Sequence, residues 1–539
     1  MIKLFNFGFF IFLLCFTAFS SCGEIRQARF PVTGTGEVLF AKDRAAQEGT
    51  LDFSKTGRMD YWFSDSFVVP PNSSLKIEFG FISSQVITEN YSLFLNMGAV
   101  SWELPMDVGI VSYSVPIEDS FDGHFSIAAE STGEIKTNEA PVFQIHSIEF
   151  VDRWFGFYHD GMNLNTTPFV HKTQDERYVI DIPAAFRPAG QLAEIEAVFS
   201  SGGRAVIEFA GQRIETLPGA GLLYIPPILY SGTGEAVLSG DKIESFRLNV
   251  LKAPLVFPQP IKADPALVLV WPREKWRNPR YEVFRWDRFP SLLIFDFADY
   301  NVQNRMLKRL AFYVEKAGFR GRLAHDEEIA NLHGWNAHDY RALDLARFFT
   351  AARRENFPLL NEERELERIL LNEGIIREGQ GGFTAGEGAI ISITREAPDY
   401  LRYRFMAHEG FHGLFFIDED FHDFSRRRWE QFSPVGKRFL ISFFDYQAYD
   451  TEDDFLVVKE FNSHLLQQSL SQAPDYFGRS LPVRLENAGR GSQLPPQDTS
   501  SRYWTYLADT FTREAQVFSD YVYQRWGLAA GRVWSLRVR

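Results

Sequence analysis

His408-Glu409-Gly410-Phe411-His412 places two imidazoles one helical turn apart with a carboxylate between them. Side chains at i and i+4 share one face of a helix, so the two rings can hold one zinc ion while the carboxylate handles the proton of its bound water. The pattern fixes only three positions, so its surroundings carry the argument. Pro398 and Asp399 close a loop and offer an N-cap. Leu401, Phe405, His408, His412 and Phe415 then recur at steps of three or four, which predicts a helix with both histidines in its apolar stripe. A buried ring without a partner costs about 1–3 kcal/mol, so two such rings one turn apart call for something to bind. The competing reading is two core histidines bonded to backbone or water, with Glu409 a solvated helix residue. Gly413 leaves room for a neighbouring segment to approach.

A catalytic zinc takes three protein groups and keeps a fourth position open, so one ligand has to be found elsewhere. Asp418 stands ten residues beyond His408 and is one candidate. Glu460 is the other, inside a segment (453–468) that reads as a helix with Asp453 and Asp454 in its first turn and Thr451 and Asp454 spaced as a capping box. Val457, Glu460, His464 and Gln467 fall on one face, which sets the carboxylate one turn from a histidine able to brace it. The alternative is an exposed Lys459/Glu460 pair on an amphipathic helix.

With Glu460 the set resembles the gluzincin branch of the zincin metallopeptidases, in which a helix downstream of the HExxH motif donates a glutamate. The resemblance rests on His408, Glu409, His412 and Glu460, and covers the last third of the chain loosely. It implies an α+β zincin-like domain that hydrolyses peptide bonds in a peptide or protein substrate. It further implies Zn2+ as cofactor, His408, His412 and Glu460 as its ligands, and Glu409 as general base. The Asn-Glu and Glu-x-x-x-Asp patterns of better-known gluzincins are absent around Glu460, which leaves the subfamily open. Asp418 falls where metzincin-like peptidases place their third ligand, but their pattern has glycine at position 415, which here is Phe415. His464, Tyr446, Tyr449 and Tyr506 are candidates to stabilise an oxyanion, and nothing in the sequence selects among them.

Several segments must position this set. Residues 386–395 form a β-prone run bounded by glycine. It reads either as an edge strand offering its backbone to an extended substrate or as an ordinary internal strand. Gly379-Gln380-Gly381-Gly382 suggests a mobile loop at the cleft. The cluster from His333 to Tyr340 opens a helix that continues through Leu343, Leu345, Phe348 and Phe349, with Asn336 or Asp339 as its cap; the alternative is that it lines the cleft. Asp418-Glu419-Asp420 ahead of His422 reads as a solvated turn.

The whole chain reads as N-terminal all-β sandwich or jelly-roll-like modules followed by an α+β zincin-like domain. Lys3 and the apolar run 7–19 form an export leader, and Phe19-Ser20-Ser21-Cys22 resembles a bacterial lipobox, with Phe19 where the strict pattern has leucine. That implies a leader over 1–21, lipid attachment at Cys22, and a cell-envelope protein held to a membrane by its anchor. Cys15 is the other of the two cysteines, so the mature chain keeps no thiol for a disulfide and packing must stabilise it. Short β-runs separated by Gly, Pro, Asn and Ser suggest one β domain over 22–153 and a second over 154–255. A proline-rich linker at 256–270 and the metallopeptidase domain over 271–539 follow. A net charge of −14 argues against general binding of nucleic acid or anionic lipid. The rival reading is a surface lipoprotein whose β modules bind a glycan or protein while the zincin-like domain is catalytically silent. Intact His408, Glu409 and His412 favour the enzyme.

Overall fold

The computed structural model describes residues 255–487 and 497–539 without a break and, upstream, the strands and some short connections between residues 26 and 251. The leader, Cys22 and the Pro495-Pro496 segment lie outside the described residues. Strands in sheets come first and a largely helical region follows. The chain divides into two compact units, residues 1–199 with 231–252 and residues 200–230 with 253–539. Among the described residues, no helix is long and apolar enough to cross a membrane.

The first unit contains a sandwich. One sheet runs in the order Arg26–Pro31, Val38–Ala41, Arg58–Trp62, His124–Ser131, Tyr91–Met97, Val100–Leu104. The other runs Leu164–Thr166, Ile110–Pro116, Ser73–Phe81, Val142–Asp152, Thr50–Asp52. Successive side chains on a strand face opposite ways, so alternate residues turn inward. Tyr61, Leu95 and Phe125 from the first sheet thus share one core with Leu75, Ile77 and Ile148 from the second. Residues 145–151 and 243–250, whose sequences echo one another, lie in different sheets.

The second unit is built on a five-stranded mixed sheet in the order Ile261–Ala263, Tyr281–Trp286, Leu292–Phe297, Ala389–Thr394, His338–Arg341. Leu293, Phe295 and Phe297 face a core shared with Met306 and Leu310 of the helix Tyr300–Glu315 and Leu345 of the helix Ala342–Arg354. The opposite face receives the helix Asp399–Ile417. Asp296 on that face accepts from Arg402 at 3.0 Å, both buried, which pins the start of the helix to the sheet. A Cβ on Gly413 would meet the Leu292 and Ile391 side chains at 3.1–3.5 Å, so the glycine serves the close approach of helix to sheet.

Of the two readings of residues 386–395 the internal strand holds, and two other positional expectations change. Ala389–Thr394 is parallel to Leu292–Phe297 on one side and antiparallel to His338–Arg341 on the other, so among the described strands the edge on that side is His338–Arg341. Strand order depends on which distant segments pair, which local β-propensity does not encode. The glycine-rich run is the turn of a hairpin, Ile376–Gly379 with Gly382–Ala385, rather than a loop at the cleft. Thr350 Oγ1 accepts from Phe383 N–H at 2.8 Å and donates to its carbonyl at 3.1 Å, docking the hairpin on the helix Ala342–Arg354. Residues 261–270, read as part of a linker, form the first strand of the sheet and a buried helix, Pro265–Val270.

Asp264 caps that helix. One carboxylate oxygen accepts from Ala266 N–H at 2.8 Å and the other from Ser535 N–H at 2.7 Å, so a fully buried side chain ties the C-terminal segment to the sheet. Asp264→Ala removes both acceptors at once. The expected cost is about 3 kcal/mol, summing a lost cap and a buried amide left unpaired. Denaturant unfolding of the variant against the parent chain reads it, and a loss below about 1 kcal/mol would contradict this account.

Candidate metal centre

Two helices bring the site together. Asp399–Ile417 starts at Pro398, with Asp399 in its first turn, and carries His408, Glu409 and His412. Asp454–Leu466 is capped by Asp453, whose side chain accepts from Phe455 N–H at 2.9 Å; this replaces the expected Thr451/Asp454 box. Every residue from Leu456 to Leu466 is buried, so this helix is enclosed on all sides rather than amphipathic. The reading of Lys459 and Glu460 as an exposed pair therefore fails: their side chains are 3% and 1% exposed.

His408 Nε2 and His412 Nε2 stand 3.0 Å apart, and each lies 3.5 Å from a different oxygen of Glu460. Ligand atoms around a tetrahedral zinc, at bonds of 2.0–2.2 Å, are about 3.3–3.6 Å from one another. Both Glu460 oxygens are buried and accept no hydrogen bond. A buried carboxylate without donors is costly, and a cation between the three groups removes that cost. Burial opposes its ionisation, but neighbouring positive charge, with the Lys459 ammonium 3.4 Å away, holds Glu460 well below the usual carboxylate range. His412, by contrast, is pushed well below the usual imidazole value by burial, so its ring is neutral. Ser463 Oγ donates to Asn462 Oδ1 at 3.2 Å and so accepts from His412 Nδ1–H at 2.8 Å, leaving the Nε2 lone pair turned to Glu460. The donor set and the two histidine–Glu460 distances fit zinc, while the Nε2 atoms, in hydrogen-bond contact with each other at 3.0 Å, stand closer than two zinc ligands do.

The charge balance points the same way. Lys459 Nζ donates to Glu315 at 2.9 Å and to both oxygens of Asp339 at 2.8 and 3.1 Å, and lies 3.4 Å from Glu460. Glu409 is buried beside them with Oε2 unpartnered. Four carboxylates thus surround one ammonium. Burial, then the neighbouring carboxylates, raises Glu409 well above the usual range; Glu315, buried against Lys459, is raised to about 7, and Asp339 is also raised. The cluster is short of positive charge, which a dication would supply.

Glu409 and His464 line a cleft of about 380 Å³ together with His408, Arg404, Tyr449 and Trp335. His464 is fixed by its neighbours. Gln467 Nε2 donates to His464 Nδ1 at 2.9 Å and to Tyr476 Oη at 2.7 Å, and the Tyr476 hydroxyl lies 3.0 Å from the same Nδ1. Nδ1 is therefore an acceptor and the proton sits on Nε2, 3.7 Å from Glu460. Burial pushes His464 down to about 3, so it presents a neutral Nε2–H donor.

The other expected candidates separate clearly. Tyr449 lines the cleft and stacks on Trp335. Tyr446 is 40% exposed in a neighbouring cavity, and Tyr506 is exposed and bonded to Ser433. Asp418 caps the next helix, Glu419–Gln431, through Phe421 N–H at 2.8 Å and pairs with Arg525 at 2.7 Å. The segment read as a solvated turn is thus the start of that helix, and Asp418 is in neither group of described residues able to hold an ion. One group joins His408, Glu460 and His464 and the other Asp339, His412 and Glu460, so Glu460 is common to both and each holds one of the two histidines; the His464 donor and the Asp339–Lys459 pair leave His464 and Asp339 as neighbours of the three. Asp339 caps no helix: it sits in the edge strand, 3.8 Å from His412 Nε2, and His333, Trp335 and Asn336 line the cleft. Sequence reasoning missed Asp339, Lys459, Ser463 and Tyr476 as site residues. The one signal for Asp339 was the density of polar and aromatic residues from His333 to Tyr340.

No family model matches the chain, and no curated protein matches it. Among solved structures it is similar to one from Clostridium perfringens described as the M60 catalytic domain with the CBM51-1 and CBM51-2 domains of ZmpB. The identity is 7%, the likeness covers 43% of this chain and 37% of that chain, and the TM-score is 0.12. At that score the likeness carries no argument, and the functional reading rests on the site.

Proposed function

We propose that the chain is a zinc metallopeptidase of the gluzincin kind, with His408, His412 and Glu460 holding the metal and Glu409 as general base. The observation that carries it is the convergence of the His408 and His412 Nε2 atoms, each at 3.5 Å, on a buried carboxylate that accepts no hydrogen bond among the described residues. Zinc held there would supply Lewis acidity and an activated water. Glu409, in the same cleft and ionised once a dication offsets the carboxylates that raise it, would take a proton from water and pass it to the leaving amine. The His464 Nε2–H would donate to the substrate oxygen that gains charge, with Tyr476 and Gln467 holding the ring in that tautomer. Lys459 and Asp339 fix the far side of Glu460 and His412. Export, lipid attachment at Cys22 and a glycan- or protein-binding role for the β modules extend this proposal from sequence pattern alone.

Metal analysis on protein purified without chelator tests it, with one equivalent of zinc expected. Glu460→Ala is expected to weaken zinc binding more than about 100-fold, since even the partners that orient a ligand are worth about 10- to 100-fold. Asp418→Ala is expected to keep full zinc and lose about 1 kcal/mol of stability through its cap. Zinc loss in the second variant and not the first would overturn the ligand assignment.

A further inference from the structure

Arg404 lies one helical turn before His408 and, with Arg484 of the helix Leu481–Asn487, lines the same cleft as His408 and Glu409. Among the described residues the cleft's carboxylates are already engaged: Glu315 and Asp339 hold Lys459, and Glu409 is the base. Neither arginine takes part in an ion pair among the described residues; Arg404 sits 5.7 Å from the centroid of the Tyr476 ring, and Arg484 is exposed. Arg484 also lines the adjoining cavity of about 750 Å³, so it stands where the two spaces meet. In a chain of net charge −14, two unengaged guanidiniums on one cleft wall form a local attractor for anions. A guanidinium's planar fork matches a carboxylate.

We propose that Arg404 and Arg484 form a carboxylate subsite beside the metal centre, so that the preferred ligand carries an acidic group near the bond presented to Glu409. The part concerning cleavage rests on the peptidase reading; the carboxylate binding does not. The carboxylate has two sources, an acidic side chain or a peptide C-terminus, and the test separates them. Zinc-supplemented full-length Glu409→Gln protein is titrated by calorimetry with three hexapeptide pools. One has Glu at a fixed position and an amidated end, one has Gln there and a free C-terminal carboxylate, and one has Gln and an amidated end. One of the carboxylate pools is expected to bind about tenfold tighter than the Gln-amide pool, an advantage that shrinks with added salt. Arg404→Gln or Arg484→Gln should erase the advantage and leave the Gln-amide affinity unchanged. Arg484 is exposed, so its variant keeps the test open if Arg404→Gln folds poorly. Equal binding of the three pools, or equal weakening of all three by the arginine variants, overturns the subsite. Absence of bound zinc counts against the peptidase reading, while the carboxylate preference still decides the subsite.

Discussion

Glu409→Gln is expected to lower kcat for peptide hydrolysis about 10³-fold, within the 10²–10⁴ that a positioned general base contributes, while zinc content stays at the parent level. The substitution keeps the shape of the side chain and its place in the cleft, and removes only the capacity to take a proton from water. None of the three groups that converge on the metal position is touched. Stability should move the other way. Glu409 is a buried acid raised well above its usual range by burial and by Asp339, Glu460 and Glu315, so an amide, which is neutral without taking up a proton, removes the cost of protonating it in the folded state. Turnover of a defined peptide pool, zinc content by mass spectrometry and a thermal melt on one preparation read all three quantities. Retention of more than about a tenth of the parent activity would remove Glu409 from its role.

Lys459→Met should be the most destabilising single change in the second unit, at about 3–5 kcal/mol. Its ammonium is buried against Glu315 and Asp339 and lies 3.4 Å from Glu460. Removing it leaves Glu315, Asp339, Glu460 and Glu409 facing one another without that cation, and breaking a buried pair from one side costs far more than the pair itself contributes. Methionine fills the stem's volume, so the loss reports charge and not a cavity. Adding Asp339→Asn to the variant should restore part of the stability, because it removes one of the stranded charges, and the pair forms a double-variant cycle. Urea unfolding with zinc and with chelator separates the role of Lys459 from that of the metal. A loss below about 1 kcal/mol in both conditions would mean the cluster is not the ion-paired hub described.

Much of the centre is legible in the chain because its parts are local. A helix with two histidines four residues apart needs only its own 3.6-residue period to put both rings on one side, so His408, Glu409 and His412 could be read directly. The alternating, β-branched and aromatic runs of the first unit announce a sandwich for the same reason, since inward and outward residues repeat every second position. Glu460 was narrowed to one of two candidates by its spacing to His464. The choice between it and Asp418 came from the assembled fold: Asp418 is engaged by Phe421 and Arg525 away from the histidines, and Glu460 faces both histidines and accepts no hydrogen bond among the described residues.

What the sequence by itself determined was therefore the chemistry on offer: two imidazoles, a base between them, and a short set of carboxylates to complete them. The tertiary structure decided which groups are engaged and which are left waiting. Lys459 beside Glu460 looks like a surface pair in any linear reading, because a lysine normally stays in water; here the enclosure of the whole helix forces it inward against Glu315 and Asp339. Which strand forms the sheet edge, residues 389–394 or His338–Arg341, was left open in the linear reading because pairing between segments far apart in the chain sets strand order, and that pairing brings Asp339 beside His412. Burial and long-range pairing are sums over the whole chain, and no window of neighbouring residues contains them.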